Sequence, residues 1–86
     1  MNILGDIGNS ETKVFLVDKK NKIIKSINFP TKIISNKILR NKFNSIVKDY
    51  SDIKKVLFCS VVPKSFGLIK KFLSKKVKKK CYEVKD

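Results

Sequence analysis

Near the N-terminus, between two short apolar runs, lie Asp6, Ile7, Gly8, Asn9, Ser10, Glu11, Thr12 and Lys13, within the stretch NILGDIGNSETKVFLVD. A carboxylate at the end of a strand, followed by glycine and small polar residues, suits the handling of phosphate. The strand fixes Asp6. Gly8 allows a tight bend and a close approach of backbone to a ligand, and successive N–H groups in such a turn form an anion-binding concavity. Asn9, Ser10 and Thr12 offer neutral hydrogen bonds, and Lys13 offers positive charge. Asp6 itself repels phosphate, so its sensible role is to hold Mg2+ through water, the cation bridging to phosphate oxygens. The same residue types are also common in plain hairpin turns, and on residue types alone both readings stand.

Other chemistries fail for want of parts. The chain has no histidine, and Cys59 and Cys81 form no CxxC pair, so neither a zinc or haem site nor a Cys–His catalytic pair can be drawn. Both thiols are expected to be reduced, with Cys59 acting as a small core residue. There is no GxxxxGK[ST] and no GxGxxG between a strand and a helix. GDIG matches the letters of the GxxG nucleic-acid clamp, but it carries Asp6 and joins two strand-like runs rather than two helices.

The formal net charge of +14 invites a nucleic-acid partner. Yet 20 of the 21 basic residues are lysine, Arg40 stands alone, and alanine and glutamine are absent. Lysine, isoleucine, asparagine and phenylalanine have A/T-rich codons, so a mutational bias produces such a surface without any nucleic acid. Dedicated readers favour the arginine fork and interleaved aromatics. A small basic nucleic-acid-binding module is therefore the alternative hypothesis, and nucleic acid is not the expected partner. Eighty-six residues make one domain at most. No apolar run of about 18 residues is present, which excludes a membrane span. The N-terminus lacks the features of a signal peptide, and a cytoplasmic location is expected.

The elements that must position the loop follow from periodicity. Residues 2–7, 13–17 and 22–29 read as three consecutive antiparallel strands, the last two joined by the turn formers DKKN. From 35 to 50, Ile38, Leu39, Phe43, Ile46, Val47 and Tyr50 recur in steps of three and four, which predicts a helix capped by Ser35 or Asn36. The run 56–62 is apolar without alternation and fits a strand covered on both faces. A second helix is expected over 64–76, with Gly67 as its weak point, and a short strand over 81–84. The lysines at 75–80 read as the wet end of that helix. The order is β-β-β-α-β-α-β.

With the motifs placed, the chain resembles the N-terminal part of type III pantothenate kinases, members of the acetate kinase, sugar kinase and actin superfamily. The first family motif reads roughly D-x-G-N-[ST] and is matched by Asp6, Gly8, Asn9 and Ser10. A later strand there ends in S-[ST]-V-V-P or close to it, matched by Ser60, Val61, Val62 and Pro63. Thr31 weakly matches a threonine after the third strand. The chain departs from the family in having Cys59 before the second motif, Glu11 where asparagine is usual, and Phe15 where glycine is frequent.

The resemblance implies an α/β fold, an RNase H-like (actin-like ATPase) half-domain, with residues 1–86 forming the N-terminal part of the first domain. It implies phosphorylation of pantothenate to 4'-phosphopantothenate by ATP, the opening step of coenzyme A synthesis. The loop from Asp6 to Lys13 would cradle ATP phosphates, Asp6 would organise Mg2+ through water, and Ser60 to Pro63 would shape the cleft. Glu11 would either weaken phosphate binding, join Asp6 at the metal, or simply face solvent. A monovalent cation (K+ or NH4+) and a homodimer are implied as well. The family's G-x-D-R segment, with the general base, would lie beyond Asp86, as would the second domain. No catalytic residue is expected in this chain, which is read as a fragment of a longer kinase or one piece of a split product, inactive alone. A non-catalytic kinase-like regulatory protein is a further alternative.

Overall fold

The structure is a computed structural model that describes residues 1–77 and the backbone of 81–85. It opens with three strands, β1 (Asn2–Ile7), β2 (Glu11–Val17) and β3 (Ile23–Pro30). The β2–β3 turn forms because Asp18 Oδ1 accepts from the N–H groups of Lys20 and Lys22, each at 2.9 Å. Asn21 completes it with a left-handed φ of 63°, a conformation that asparagine tolerates better than most residues.

Helix α1 (Asn36–Ile46) starts at Ser35, whose Oγ accepts from the Ile38 N–H at 3.2 Å. Ser35 rather than Asn36 is thus the cap. Leu39, Phe43 and Ile46 form its buried stripe. The helix ends short of residue 50 because Val47 turns extended and Asp49 caps a separate 3-10 turn, Tyr50–Asp52. The Ser51 hydroxyl and N–H both donate to Asp49 Oδ1 and hold that carboxyl below its ordinary value of 3.8. Tyr50 lies outside the helix yet still packs against the core. Then come β4 (Lys55–Ser60), α2 (Pro63–Ser74) and β5 (Cys81–Lys85).

The five strands form one mixed sheet in the order β3-β2-β1-β4-β5. The first three pair antiparallel, whereas β4 runs parallel to both β1 and β5. Parallel neighbours require crossovers, and α1 and α2 supply them. Both helices pack on the same face, where Ile3, Ile7, Val14, Val56 and Phe58 meet Phe43, Ile69 and Leu73. The rings of Phe43 and Phe72 lie 5.7 Å apart, and those of Phe58 and Phe66 lie 6.2 Å apart.

The other face corrects the expectation for β4. Its burial alternates, with Val56, Phe58 and Ser60 inside and Leu57 and Cys59 only half-buried. The described helices cover one face of the strand, not two. For the same reason Cys59 is not in the core: its place in the alternation puts it on the open face with Leu4, Asp6, Lys13 and Phe15. The predicted lysine end of α2 is described only in part. Lys75 and Lys76 are exposed just past the helix, and 78–80 lie outside the described residues, as does the side chain of Cys81. Among the described residues, no helix is long and apolar enough to cross a membrane.

Candidate functional site

Because β1 and β4 are parallel, both end at the same edge of the sheet. Ile7 is paired with Ser60, and the Val61 N–H donates to the Ile7 carbonyl at 3.1 Å. The two motifs, widely separated in sequence, therefore sit side by side. The carboxyl edge of parallel strands is where open α/β sheets bind ligands.

The turn itself is shorter than the expected loop from Asp6 to Lys13. Only Gly8, Asn9 and Ser10 lie outside strands. Asp6 and Ile7 belong to β1, while Glu11, Thr12 and Lys13 belong to β2, because the pairs Asp6↔Lys13 and Ile7↔Thr12 carry the ladder right to the turn. The Gly8 N–H closes it by donating to the Glu11 carbonyl at 3.0 Å. What glycine relieves here is crowding, not a positive φ: a Cβ would lie 3.2 Å from that carbonyl oxygen, a tight contact that the turn would have to yield to by a few tenths of an ångström. Among the described residues, no protein acceptor takes the N–H groups of Asn9 or Ser10.

Strand alternation then sorts the side chains. Asp6, Glu11 and Lys13 are exposed on the open face, whereas Ile7 and Thr12 are fully buried beneath the helices. Thr12 therefore offers no side-chain hydrogen bond to a ligand. Its Oγ1 is 2.9 Å from Thr31 Oγ1, which in turn donates to the Gly8 carbonyl at 2.8 Å. The Thr31 N–H also donates to the Ser10 carbonyl at 3.0 Å.

Glu11 is exposed but not idle, since Asn28 Nδ2 donates to its Oε1 at 2.7 Å. Among the described residues, no hydrogen bond or ion pair engages the Asp6 carboxylate, and no group of three metal-ligating side chains occurs. A single unencumbered carboxylate at a strand end suits Mg2+, which keeps most of its waters and is commonly held by one or two carboxylates plus substrate phosphates.

The second motif forms the turn into α2. Ser60 is buried, and its Oγ accepts from the Val62 N–H at 3.0 Å. Pro63 takes the first helical position, where a missing N–H costs nothing. Val61 is left exposed at the edge, and Val62 packs against the core. A hollow of about 250 Å³ lined by Met1, Leu16, Ile24, Ile46 and Ile53 lies at the opposite edge, remote from both motifs.

Sequence reasoning missed Asn28 altogether and gave Thr31 too little weight. Neither carries a local signal, because each reaches the turn only through the β2–β3 register that sets Pro30 opposite Glu11 and Asn28 opposite Lys13.

Comparison with known proteins points to a kinase family: residues 2–86 match the family model described as type III pantothenate kinase. The chain belongs to that family. It is 47% identical over 85 residues to the type III pantothenate kinase of Pelagibacter ubique (strain HTCC1062). That similarity covers 99% of this chain and 34% of the relative, so the chain spans about a third of the length of the curated relative it matches.

Proposed function

We propose that the protein of which this chain forms part transfers the γ-phosphoryl group of ATP to the hydroxyl of pantothenate, giving 4'-phosphopantothenate in the first step of coenzyme A biosynthesis. The observation that supports this most is the family match across residues 2–86. Residues 1–86 are then the N-terminal part of the first domain of an actin-like ATPase. The second domain, the general base and the acceptor contacts belong to the rest of the protein, and these residues alone are inactive.

Phosphoryl transfer is mainly positioning and charge neutralisation. In this reading the unpartnered N–H groups of Asn9 and Ser10, with the side chains of Asn9, Ser10 and Lys13, meet the ATP phosphates. Gly8 keeps that approach open. Asp6 would hold Mg2+ through water, and the bound ion would supply neutralising charge. Ile7 and Thr12 support the turn from below, Glu11 braces the hairpin through Asn28, and Ser60 to Pro63 shape the adjoining wall. A homodimer and a K+ or NH4+ requirement belong to the proposal through family membership alone.

The test is Asp6→Asn in the full-length gene product. Turnover should fall by orders of magnitude with the melting temperature unchanged. Near-normal turnover would remove Asp6 from the mechanism.

A further inference from the structure

Gly8 makes the turn narrow but also leaves it loose. A peptide unit is rigid and trans, so its carbonyl and the following N–H point in opposite directions. The Gly8 carbonyl and the Asn9 N–H share one such unit. If that unit flips, the N–H that would face an anion is replaced by a carbonyl oxygen that repels it. Glycine lowers the steric barrier to such a flip, so something must hold the unit in place.

Thr31 is placed to do so. Its Oγ1 donates to the Gly8 carbonyl at 2.8 Å, and its N–H donates to the Ser10 carbonyl at 3.0 Å. A hydroxyl has one proton, and here it goes to Gly8, so the 2.9 Å contact with Thr12 is a bond in which Thr12 donates to Thr31. The chain of bonds runs Thr12 O–H to Thr31 Oγ1, then Thr31 O–H to the Gly8 carbonyl. Both threonines are buried, at 0% and 6% exposure, so water is a poor substitute for either partner.

We infer that Thr31 is a positioning residue: by holding the Gly8 carbonyl inward, it aims the Asn9 N–H at the nucleotide phosphate. This deepens the proposed kinase function and rests on the assignment of the 6–13 hairpin to ATP phosphates. It touches no reacting atom and acts only through the turn.

Thr31→Val keeps the shape and removes the hydroxyl. In the full-length protein it should raise KM for MgATP about tenfold or more, the scale of one unmet buried hydrogen bond. KM for pantothenate should stay within about twofold, a split that general loosening of the fold would not give. Thr31→Ser should restore KM for MgATP, since it returns the donor without the methyl. Thr31→Ala is the second variant, should valine not be accommodated. The assignment is overturned if both variants fold and keep KM for MgATP, or if serine does no better than valine. It is equally overturned if neither variant folds while serine is normal, for the hydroxyl would then serve the fold as a whole. Asp6→Asn, assayed in parallel, separates the two ideas. A damaged Asp6→Asn beside a normal Thr31→Val rejects the Thr31 role alone, whereas normal MgATP kinetics in both variants reject the phosphate reading of the hairpin together with it.

Discussion

At Gly5 the sheet and the core meet without spare room. A Cβ there would lie 2.0 Å from Cε1 and 2.1 Å from Cδ1 of Phe58, its register partner on β4. That ring is fully buried and cannot swing into solvent. Gly5→Ala should therefore destabilise the full-length protein by about 2–3 kcal/mol, the upper range for an overpacked core. Phe58→Leu in the same chain should return part of the loss, read as a non-additive coupling between neighbours in denaturant midpoints. Full additivity would show that the ring is not what excludes the methyl. The place of Asp6, exposed near the end of β1, was legible in the sequence because a lone carboxylate closing an apolar run marks where the strand meets its turn. Thr12 was not: a hydroxyl under a helix and a hydroxyl facing a ligand are written with the same letter, and only the phase of the strand tells them apart. Thr31 gave only a weak match for a different reason, since its partners at 8, 10 and 12 are brought to it by tertiary pairing.

The elements were legible wherever a period ran long enough to be seen. Both helices showed themselves by apolar spacing, but where α1 begins and stops was decided by polar residues at its borders. Ser35 fixes the start of α1, and Asp49 opens a new turn after its end. The early start of β2 was obscured because Thr12 reads as polar. Once Thr12 is counted with the buried residues, Glu11, Thr12, Lys13 and Val14 alternate outside and inside as a half-covered strand should. Helix α2 carries the one glycine of the three that no neighbour crowds. Gly67 sits in its middle, exposed, and a Cβ added there meets nothing within 4 Å. Its backbone has no positive φ to defend. Gly67→Ala should thus stabilise the protein by about 0.5–1 kcal/mol through lower entropy of the unfolded chain. An upward shift in the thermal midpoint with unchanged activity is the expected result; a lower midpoint would mean that another part of the protein packs on this glycine.

For the whole molecule the open face of the sheet decides the behaviour. The Cα radius of gyration is 11.6 Å, close to the ~12 Å expected of a compact domain this size, and the buried cluster closes the helix-covered side. On the other side Leu4, Phe15 and Leu57 are only half-buried, although sheets with parallel strands normally bury both faces. The matched relative is about three times as long as this chain, and a partner for that face is to be sought in the remaining length. Composition concealed this, because the apolar run of β4 reads the same whether its cover lies within these residues or elsewhere. Two forces should compete when the 86 residues are expressed alone: a bare apolar strip that favours association, and a net charge of +14 that opposes it. Salt separates them. Screening shortens the reach of the charges to about 3 Å at 1 M and leaves apolar contact intact, so sedimentation should show association rising with salt concentration. Phe15→Thr, which keeps strand propensity and removes the ring, should weaken it. Association driven by charge would fall with salt instead, and a monomer with a cooperative melt at every salt concentration would mean that the face tolerates water unaided.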